Sequence, residues 1–177
     1  VIYGCGGVGL SAVQGATLSG AGTVIAVDTS PERLTLAGEL GATHLVKAGS
    51  LTLGTSRAIT GGRGADHVFE AVGHPRVQEA ALEAVRPGGV LTLVGLSPMG
   101  SGTNLPGAVI VRQEKTIKGS YYGSVHARRD FPLFLDLYMA GKLPLDRLVT
   151  HHYALDQINE AFAAMLGGSG ARGVIRF

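Results

Sequence analysis

Three glycines near the start of the chain have the spacing of a phosphate-binding turn. Gly4, Gly6 and Gly9 follow the apolar residues 1–3 and precede residues 10–19, an Ala- and Ser-rich stretch with helical spacing. A strand, a tight turn and a helix in this order place backbone N–H groups and the positive end of the helix dipole where a pyrophosphate can bind. Each glycine then has a steric role: the first allows the turn, the second the approach of the pyrophosphate, and the third close packing of helix and strand.

An acidic side chain follows at the distance that a dinucleotide site requires. The apolar residues 23–27 end at Asp28, which lies 19 residues after Gly9 (28 − 9). In such sites an acid about 20 residues beyond the last glycine binds the adenosine ribose. A carboxylate at this position repels a 2′-phosphate, and the neighbouring Thr29 brings no positive charge, so the pair favours NAD over NADP.

These residues need a scaffold, and the rest of the chain predicts a mostly parallel sheet covered by helices. Apolar strand-like runs alternate with helical patterns at the spacing of β-α-β crossovers. We expect six strands in one doubly wound α/β sheet, at residues 1–3, 23–27, 43–46, 66–70, 90–94 and 115–118. We expect helices at residues 10–19, 31–40, 49–60, 75–85, 130–140 and 157–166, and further strand-like runs at residues 148–155 and 173–177. Residues 86–89 are expected to end the fourth helix, and Ser30 to cap the second.

The carboxyl ends of parallel strands meet along one edge of such a sheet, where ligands bind. That edge would carry Gly4, Asp28, Val72 with Gly73, Val94 with Gly95, and residues 121–123. Agreement among five strand ends makes a nucleotide site a better interpretation than five unrelated loop glycines.

Composition limits the classes of function. A chain of 177 residues with 45% hydrophobic residues is long enough for one domain with a core. The net charge of +2 is small and dispersed, so we expect neither a nucleic-acid nor a membrane surface. The single cysteine, Cys5, cannot form an internal disulfide, which favours a reducing, cytoplasmic compartment. Since the chain opens at Val1 without a methionine, we expect a segment of a longer protein.

Ordered segments along the chain resemble the coenzyme domain of the zinc-dependent medium-chain alcohol dehydrogenases. They are GCGGVGL at residues 4–10, VDTSPER at 27–33, LGAT at 40–43, GADHVFEAVG at 64–73, RPGG at 86–89, VGL at 94–96, KGSYYG at 118–123, LVTH at 148–151, INEAF at 158–162 and RGVIRF at 172–177. The resemblance covers essentially the whole chain. It implies a Rossmann domain over residues 1–122, and helices and a strand over residues 123–177 that return to an N-terminal catalytic domain outside this chain, which would leave the last strand without a partner.

The resemblance also implies a role for individual residues. Asp28 would bind the ribose hydroxyls, with Arg33 beside that ribose or, equally, as a solvated charge on a helix face. Val72 would flank the adenine, and Arg172 would reach the pyrophosphate. The remaining contacts would come from the turn and the nicotinamide pocket: Gly4, Gly6, Gly7, Val8, Gly9, Val94, Gly95, Leu96, Ser120 and Tyr122.

The implied activity is hydride transfer between a small alcohol or aldehyde and NAD. Zinc and the proton relay would belong to the N-terminal domain, so we expect this segment to have no catalytic residue and to oxidise no alcohol by itself. We also expect no metal site here, since the adjacent His151 and His152 would point to opposite faces of a strand. Subunits would pair through their coenzyme domains, with the apolar residues 108–111 (Ala108 to Val111) as the candidate contact of a homo-oligomer.

Three alternative functions remain open. A zinc-free medium-chain quinone or enoyl reductase shares this domain. A methyltransferase that binds S-adenosylmethionine also pairs a glycine loop with an acid, but it would place an antiparallel last strand inside the sheet. A nucleotide-sensing module without catalysis would need no substrate cleft beside Val94 and Tyr122.

Overall fold

The computed structural model of the chain describes residues 1–49 and 53–177. In this part of the chain six strands form one sheet in the order β3-β2-β1-β4-β5-β6, and its five pairings are parallel. The strands are β1 (Ile2–Tyr3), β2 (Ile25–Asp28), β3 (His44–Lys47), β4 (Ala65–Glu70), β5 (Val85–Leu93) and β6 (Thr116–Gly119). This order is that of the doubly wound dinucleotide-binding fold, so the predicted fold class is confirmed.

Helices connect the strands on both faces. They are α1 (Gly7–Leu18), α2 (Pro31–Glu39), α3 (Leu53–Ile59), α4 (Pro75–Ala84), α5 (Gly107–Arg112), α6 (Ala127–Met139) and α7 (Ile158–Leu166). Single turns of 3-10 helix lie at Tyr122–Ser124, Leu145–Leu148 and Leu155–Gln157. The prediction of a helix within residues 49–60 is confirmed for α3, while residues 50–52 lie outside the described residues.

Alternating side chains divide the core between the two faces of the sheet. Val1, Tyr3 and Val27 pack with residues of α4, and α3 and α5 add partly buried side chains to the same cluster. Ile2 and Ala26 pack on the other face with residues of α1 and α2. Because both faces are covered, β1 and β2 are apolar and buried up to Asp28 rather than alternating.

The start of α2 follows the predicted pattern. Ser30 is the N-cap, and its side chain accepts a hydrogen bond from the backbone N–H of Arg33. Pro31 occupies the first turn, where its missing N–H costs nothing. Gly41 follows the helix with φ +108°, a backbone conformation that residues with a side chain rarely adopt.

The fifth strand differs from the prediction. It begins at Val85 rather than Val90, directly after α4, and includes residues 86–89, which we expected only to end the helix. Val85 pairs with Ala65 and Val90 with His67, so the residues between form a bulge in the ladder. Gly88 has φ +70° and Pro87 has no N–H, and these features interrupt the strand pairing without ending it.

Other boundaries shift by a few residues. The predicted first helix begins at Gly7 rather than Leu10, with Gly6 as its N-cap. Residues 108–111, predicted only as an apolar stretch, lie within α5. α6 begins at Ala127 rather than Asp130.

The last strand has a partner, so the expectation that it would lack one is wrong. β7 (Val149–Ala154) and β8 (Arg172–Arg176) form a separate parallel pair. Leu148 is buried in the same cluster as Leu10, and Gln14 Nε2 donates to the carbonyl oxygen of Pro144 at 3.3 Å. The C-terminal segment therefore packs against the α1 side of the large sheet.

Apolar side chains remain exposed on the helices of the C-terminal segment. Phe131, Leu135 and Met139 of α6 are more than half exposed, as are Phe162 and Met165 of α7. In the described ranges, no helix combines the length and the apolar character that crossing a bilayer requires.

Candidate functional site

Two cavities lie at the carboxyl edge of the large sheet, on either side of the start of α1. The first has a volume of about 480 Å³ and its lining includes Gly4, Gly6, Asp28, Val72 and Arg33. The second is a more open cleft of about 750 Å³, and its lining comes from α1, from the ends of β5 and β6, and from β8. Its lining residues are Val8, Ser11, Leu93, Val94, Gly95, Leu96, Gly119, Ser120, Tyr121, Tyr122, Gly123 and Arg172.

The glycine turn is sterically specific at two of its positions. Gly4 has φ +86°, and a Cβ atom there would lie 2.6 Å from Cγ2 of Val72. A Cβ atom on Gly9 would overlap the carbonyl oxygen of Gly4, so α1 can approach β1 this closely only with glycine. At Gly6 a Cβ atom would meet no atom of the described residues within 4 Å and would point into open space. None of the residues that the structure describes therefore requires glycine at position 6.

Asp28 ends β2 and is fixed by two backbone groups. Its Oδ2 accepts a hydrogen bond of 2.6 Å from the N–H of Cys5, and its Oδ1 accepts one of 2.8 Å from the N–H of Ser30. The residue is only 6% exposed, and the remaining exposure faces the first cavity. Since each carboxylate oxygen has a further lone pair, both can accept another hydrogen bond from a ligand.

Cys5 lies in the turn but is fully buried. Burial raises the pKa of its thiol to about 12, with the nearby negative charge of Asp28 as a second cause. A neutral thiol of this kind is a packing residue and not a nucleophile.

Glu70 organises the ends of two strands, although sequence reasoning did not select it. Its side chain is fully buried, and Oε1 accepts hydrogen bonds from the N–H groups of Val72 (2.7 Å) and Gly73 (2.8 Å). Its backbone oxygen accepts from the N–H groups of Val94 (2.8 Å) and Gly95 (2.9 Å). One residue thus holds the turn that lines the first cavity and the turn that lines the second. The signal in the sequence is an acid that directly follows the apolar Val68 and Phe69 at the end of a strand.

These two turns touch through their backbones. A Cβ atom on Gly73 would lie 2.5 Å from the carbonyl oxygen of Leu96, and one on Gly95 would overlap the N–H of Gly73. Val72 and Leu96 project from the turns and are 51% and 82% exposed. The edge of the sheet therefore presents two apolar side chains on a rigid backbone.

The far wall of the second cleft is aromatic. Tyr121 and Tyr122 pack edge to face with 4.6 Å between ring centroids, and both rings are mostly exposed. Tyr122 and Ser124 have φ of +52° and +53°, values that are uncommon outside glycine and are often found at functional positions.

The two predicted arginines occupy different cavities. Arg33 lines the first, where its NH1 is 4.0 Å from Oδ2 of Asp28. Its guanidinium also donates to the carbonyl oxygens of Gly168 and Gly170, the latter at 3.1 Å from Nε. Arg33 is therefore held against the C-terminal segment, while its NH1 stays beside Asp28 in the first cavity. Arg172 lines the second cleft.

Possible metal-ligating side chains do not cluster in the described residues. Within residues 1–49 and 53–177, no three His, Cys, Asp or Glu side chains lie close enough together to hold an ion.

Comparison with known proteins gives a consistent result. The family model described as "Zinc-binding dehydrogenase" matches residues 7–140. The chain is 38% identical over 178 residues to the NDMA-dependent alcohol dehydrogenase of Amycolatopsis methanolica, a match that covers 99% of this chain and 48% of that protein. It is 34% identical to the S-(hydroxymethyl)glutathione dehydrogenase of Photobacterium damsela subsp. piscicida, with the same coverage.

Two similar solved structures are an alcohol dehydrogenase zinc-binding domain protein from Burkholderia ambifaria and the benzyl alcohol dehydrogenase of Acinetobacter calcoaceticus. Their TM-scores are both 0.94, at 36% and 32% identity, and the matches cover 99% of this chain and 47% and 48% of theirs. The chain spans about half the length of the curated relatives that it matches.

Proposed function

This chain belongs to the zinc-binding dehydrogenase family, and we propose that it is the NAD-binding domain of an alcohol dehydrogenase. The complete protein would transfer a hydride between a small alcohol or aldehyde and NAD. The observation that carries the proposal is the first cavity. There, a glycine whose missing side chain leaves open space lies beside a carboxylate that two backbone N–H groups hold in place.

The described residues fit a dinucleotide that crosses from the first cavity to the second. Asp28 would bind the adenosine ribose and Val72 would pack on the adenine. The pyrophosphate would lie at Gly6, where the first N–H groups of α1 have no acceptor within the helix. A Cβ atom at Gly6 would occupy part of that space, which explains a glycine that the protein fold itself does not require.

The nicotinamide would occupy the second cleft. Val8, half exposed at the start of α1, offers it an apolar surface. The remaining contacts would come from Val94, Gly95, Leu96, Ser120 and Tyr122. When bound, NAD supplies the atom that accepts or releases the hydride, and this chain orients the ring and excludes water from one of its faces.

Zinc has no place in this part of the proposal. Since no group of side chains in the described residues fits an ion, we derive no step through zinc from this chain. We place the zinc and the proton relay in the part of the complete protein that this chain does not cover, and we infer that the chain alone oxidises no alcohol. Turnover of an alcohol by the purified chain would contradict that inference.

We propose that residues 1–122 form the coenzyme domain and that residues 123–177 connect it to a catalytic domain. The exposed apolar side chains of α6 and α7 support this division, because a further domain would cover them. We also propose a cytoplasmic location, which a single buried cysteine favours.

We propose that the complete protein is a homo-oligomer that pairs through its coenzyme domains. β6 is the edge strand of the large sheet, and α5 beside it exposes Val109 and Val111. An unpaired edge next to apolar side chains favours association with a second copy. Sedimentation that shows only monomer at high concentration would argue against this contact.

Calorimetric titration with three ligands tests the proposed function. We expect NAD to bind more tightly than NADP, and S-adenosylmethionine not to bind. The parallel pairings of the six-stranded sheet already disfavour a methyltransferase, and the cleft beside Val94 and Tyr122 disfavours a module that only senses nucleotides. Tighter binding of NADP or of S-adenosylmethionine would overturn the proposal.

A further inference from the structure

A short glycine-rich segment joins the two arginines of the site. We call residues 167–172 the strap; it runs from the end of α7 to the start of β8. Arg33 binds two carbonyl oxygens of the strap, those of Gly168 and Gly170. We propose that Arg33 is a positioning residue for the pyrophosphate: it holds the strap so that Arg172 lies at the start of α1. This inference rests on the proposed function.

The strap is also held from its other side. Oγ1 of Thr150, on β7, accepts a hydrogen bond of 3.0 Å from the N–H of Ala171 and donates one of 3.2 Å to the carbonyl oxygen of Arg172. At Gly170 a Cβ atom would lie 2.7 Å from the ring of His151. The strap therefore lies between α2 and β7 with no space for a side chain at position 170.

The C-terminal end of the strap reaches the glycine turn. A Cβ atom on Gly7 would lie 3.2 Å from Nε of Arg172 and 3.2 Å from the carbonyl oxygen of Ala171. Arg172 thus packs directly on the first residue of α1, where an anion would bind. A side chain at position 7 would have to displace Arg172 or the Ala171 carbonyl by a few tenths of an ångström.

Because the strap is rich in glycine, it needs hydrogen bonds from its neighbours to keep one conformation. Gly167, Gly168 and Gly170 are three of its six residues, and Gly168 and Gly170 have φ of +72° and +63°. A segment this rich in glycine loses much conformational entropy when it is fixed in one geometry. Without the two hydrogen bonds from Arg33, the contacts at Thr150 and the backbone hydrogen bonds of residues 167–169 to α7 would remain, and none of these ties the strap to α2.

Arg33 has a competing direct role, because its NH1 lies 4.0 Å from Oδ2 of Asp28 and could act on the ribose itself. The two roles predict different ligand dependence. A direct contact affects adenosine and ADP equally, whereas loss of Arg172 from the start of α1 affects only a ligand that carries phosphates. Gly6 and Arg33 line one cavity and Arg172 lines the other, so the charge of Arg33 can also act on the pyrophosphate directly. A variant that keeps the charge but changes the contacts with the strap separates the two effects.

The experiment measures the affinity of adenosine and of ADP by calorimetry. R33M removes the charge, and R33K keeps the charge but lacks the planar fork whose separate nitrogens reach the Gly168 and Gly170 carbonyls. We expect both variants to weaken ADP about tenfold and to change adenosine less than about twofold. In an R172M background we expect R33K to add less than about twofold, because the side chain that the strap positions is already absent.

A second readout does not depend on any ligand. Hydrogen exchange at the Ala171 amide, which Thr150 now protects, is expected to accelerate in R33K. R147M is the matched control: Arg147 also joins the C-terminal segment to α2, but its partner there is the carboxylate of Glu39 and not a carbonyl of the strap. It should change neither the affinities nor this exchange rate.

Three results would overturn the proposal. Equal weakening of adenosine and ADP in R33M would assign Arg33 to the ribose alone. Additive effects of R33K and R172M on ADP, with unchanged exchange at Ala171, would show two independent arginines. If the unmodified chain binds neither adenosine nor ADP, the proposed function fails and this inference fails with it.

Discussion

The backbone N–H of Cys5 donates a hydrogen bond of 2.6 Å to Oδ2 of Asp28. The glycine turn after β1 and the acid that ends β2 are therefore one structural unit, and a ligand that uses both meets a preformed arrangement. The N–H of Ser30 completes the unit from the start of α2. A substitution at position 28 should consequently affect the fold and the ligand together.

We predict that D28N weakens NAD at least about tenfold and lowers the free energy of unfolding by about 1–3 kcal/mol. An asparagine has one acceptor oxygen, so one of the two N–H groups would face an NH₂ group. The preference for NAD over NADP should also decrease, because the charge that repels a 2′-phosphate is lost. Calorimetry and urea unfolding measure these changes. Asp66 lies near the start of β4, at the end of the strand away from Asp28. D66N is therefore the control and should leave the affinities for NAD and NADP unchanged.

At the glycine turn, we predict that G6A separates binding from folding. The new methyl group would point into open space in the folded chain, so the free energy of unfolding should change by less than about 1 kcal/mol. NAD should bind at least about tenfold more weakly, since the methyl group takes the place of the pyrophosphate. Unchanged affinity for NAD would place the ligand elsewhere.

We predict that G9A, unlike G6A, destabilises the fold itself. Its methyl group would overlap the carbonyl oxygen of Gly4, so α1 would have to move away from β1. We expect a loss of about 3 kcal/mol or more in the free energy of unfolding, or no folded protein. G15A lies in the same helix with open space around it and should stabilise the chain by about 0.5–1 kcal/mol. Equal stabilities of the two variants in thermal unfolding would contradict the geometry of the turn.

The sequence predicts those parts of the site that depend on local spacing. Gly4, Gly9 and Asp28 lie within one β-α-β unit, and the steric reasons for the two glycines follow from the motif. The bulge at Pro87 and Gly88 was missed because the same residues usually form a loop, and here pairing with β4 keeps them in a strand.

Contacts between distant parts of the chain could not be predicted. Arg33 is 135 residues from Gly168 in sequence, and no periodicity relates a helix in the first quarter of the chain to a loop near its end. Glu70 was missed for a different reason. An acid at a strand end suggests exposure, whereas here the N–H groups of Val72 and Gly73 allow full burial.

Glu70 provides a further prediction. E70Q keeps an oxygen that accepts from Val72 and Gly73, and Oε2 has no hydrogen-bond partner in the described residues, so this variant should bind NAD within a few-fold of the unmodified chain. E70L leaves two buried N–H groups unpaired and should lower the free energy of unfolding by about 2–4 kcal/mol. Thermal unfolding and calorimetry test the pair. Equal behaviour of E70Q and E70L would show that the two hydrogen bonds do not hold the turn.

Two buried groups near the glycine turn, the Cys5 thiol and the Tyr3 phenol, predict that the chain becomes less stable at high pH. Burial raises the pKa of Cys5 from 9.0 to about 12 and that of Tyr3 from 10.0 to about 12. Between these values the unfolded chain has released protons that the folded chain retains, so the free energy of unfolding falls as pH rises. The stabilisation is complete below about pH 9, and each group contributes a slope of at most about 1.4 kcal/mol per pH unit.

Urea unfolding at about pH 8 and about pH 10.5 measures this fall in the free energy of unfolding. C5A should show a smaller fall than the unmodified chain, because one of the two titrating groups is gone; identical falls would mean that the Cys5 thiol is not buried as the structure has it.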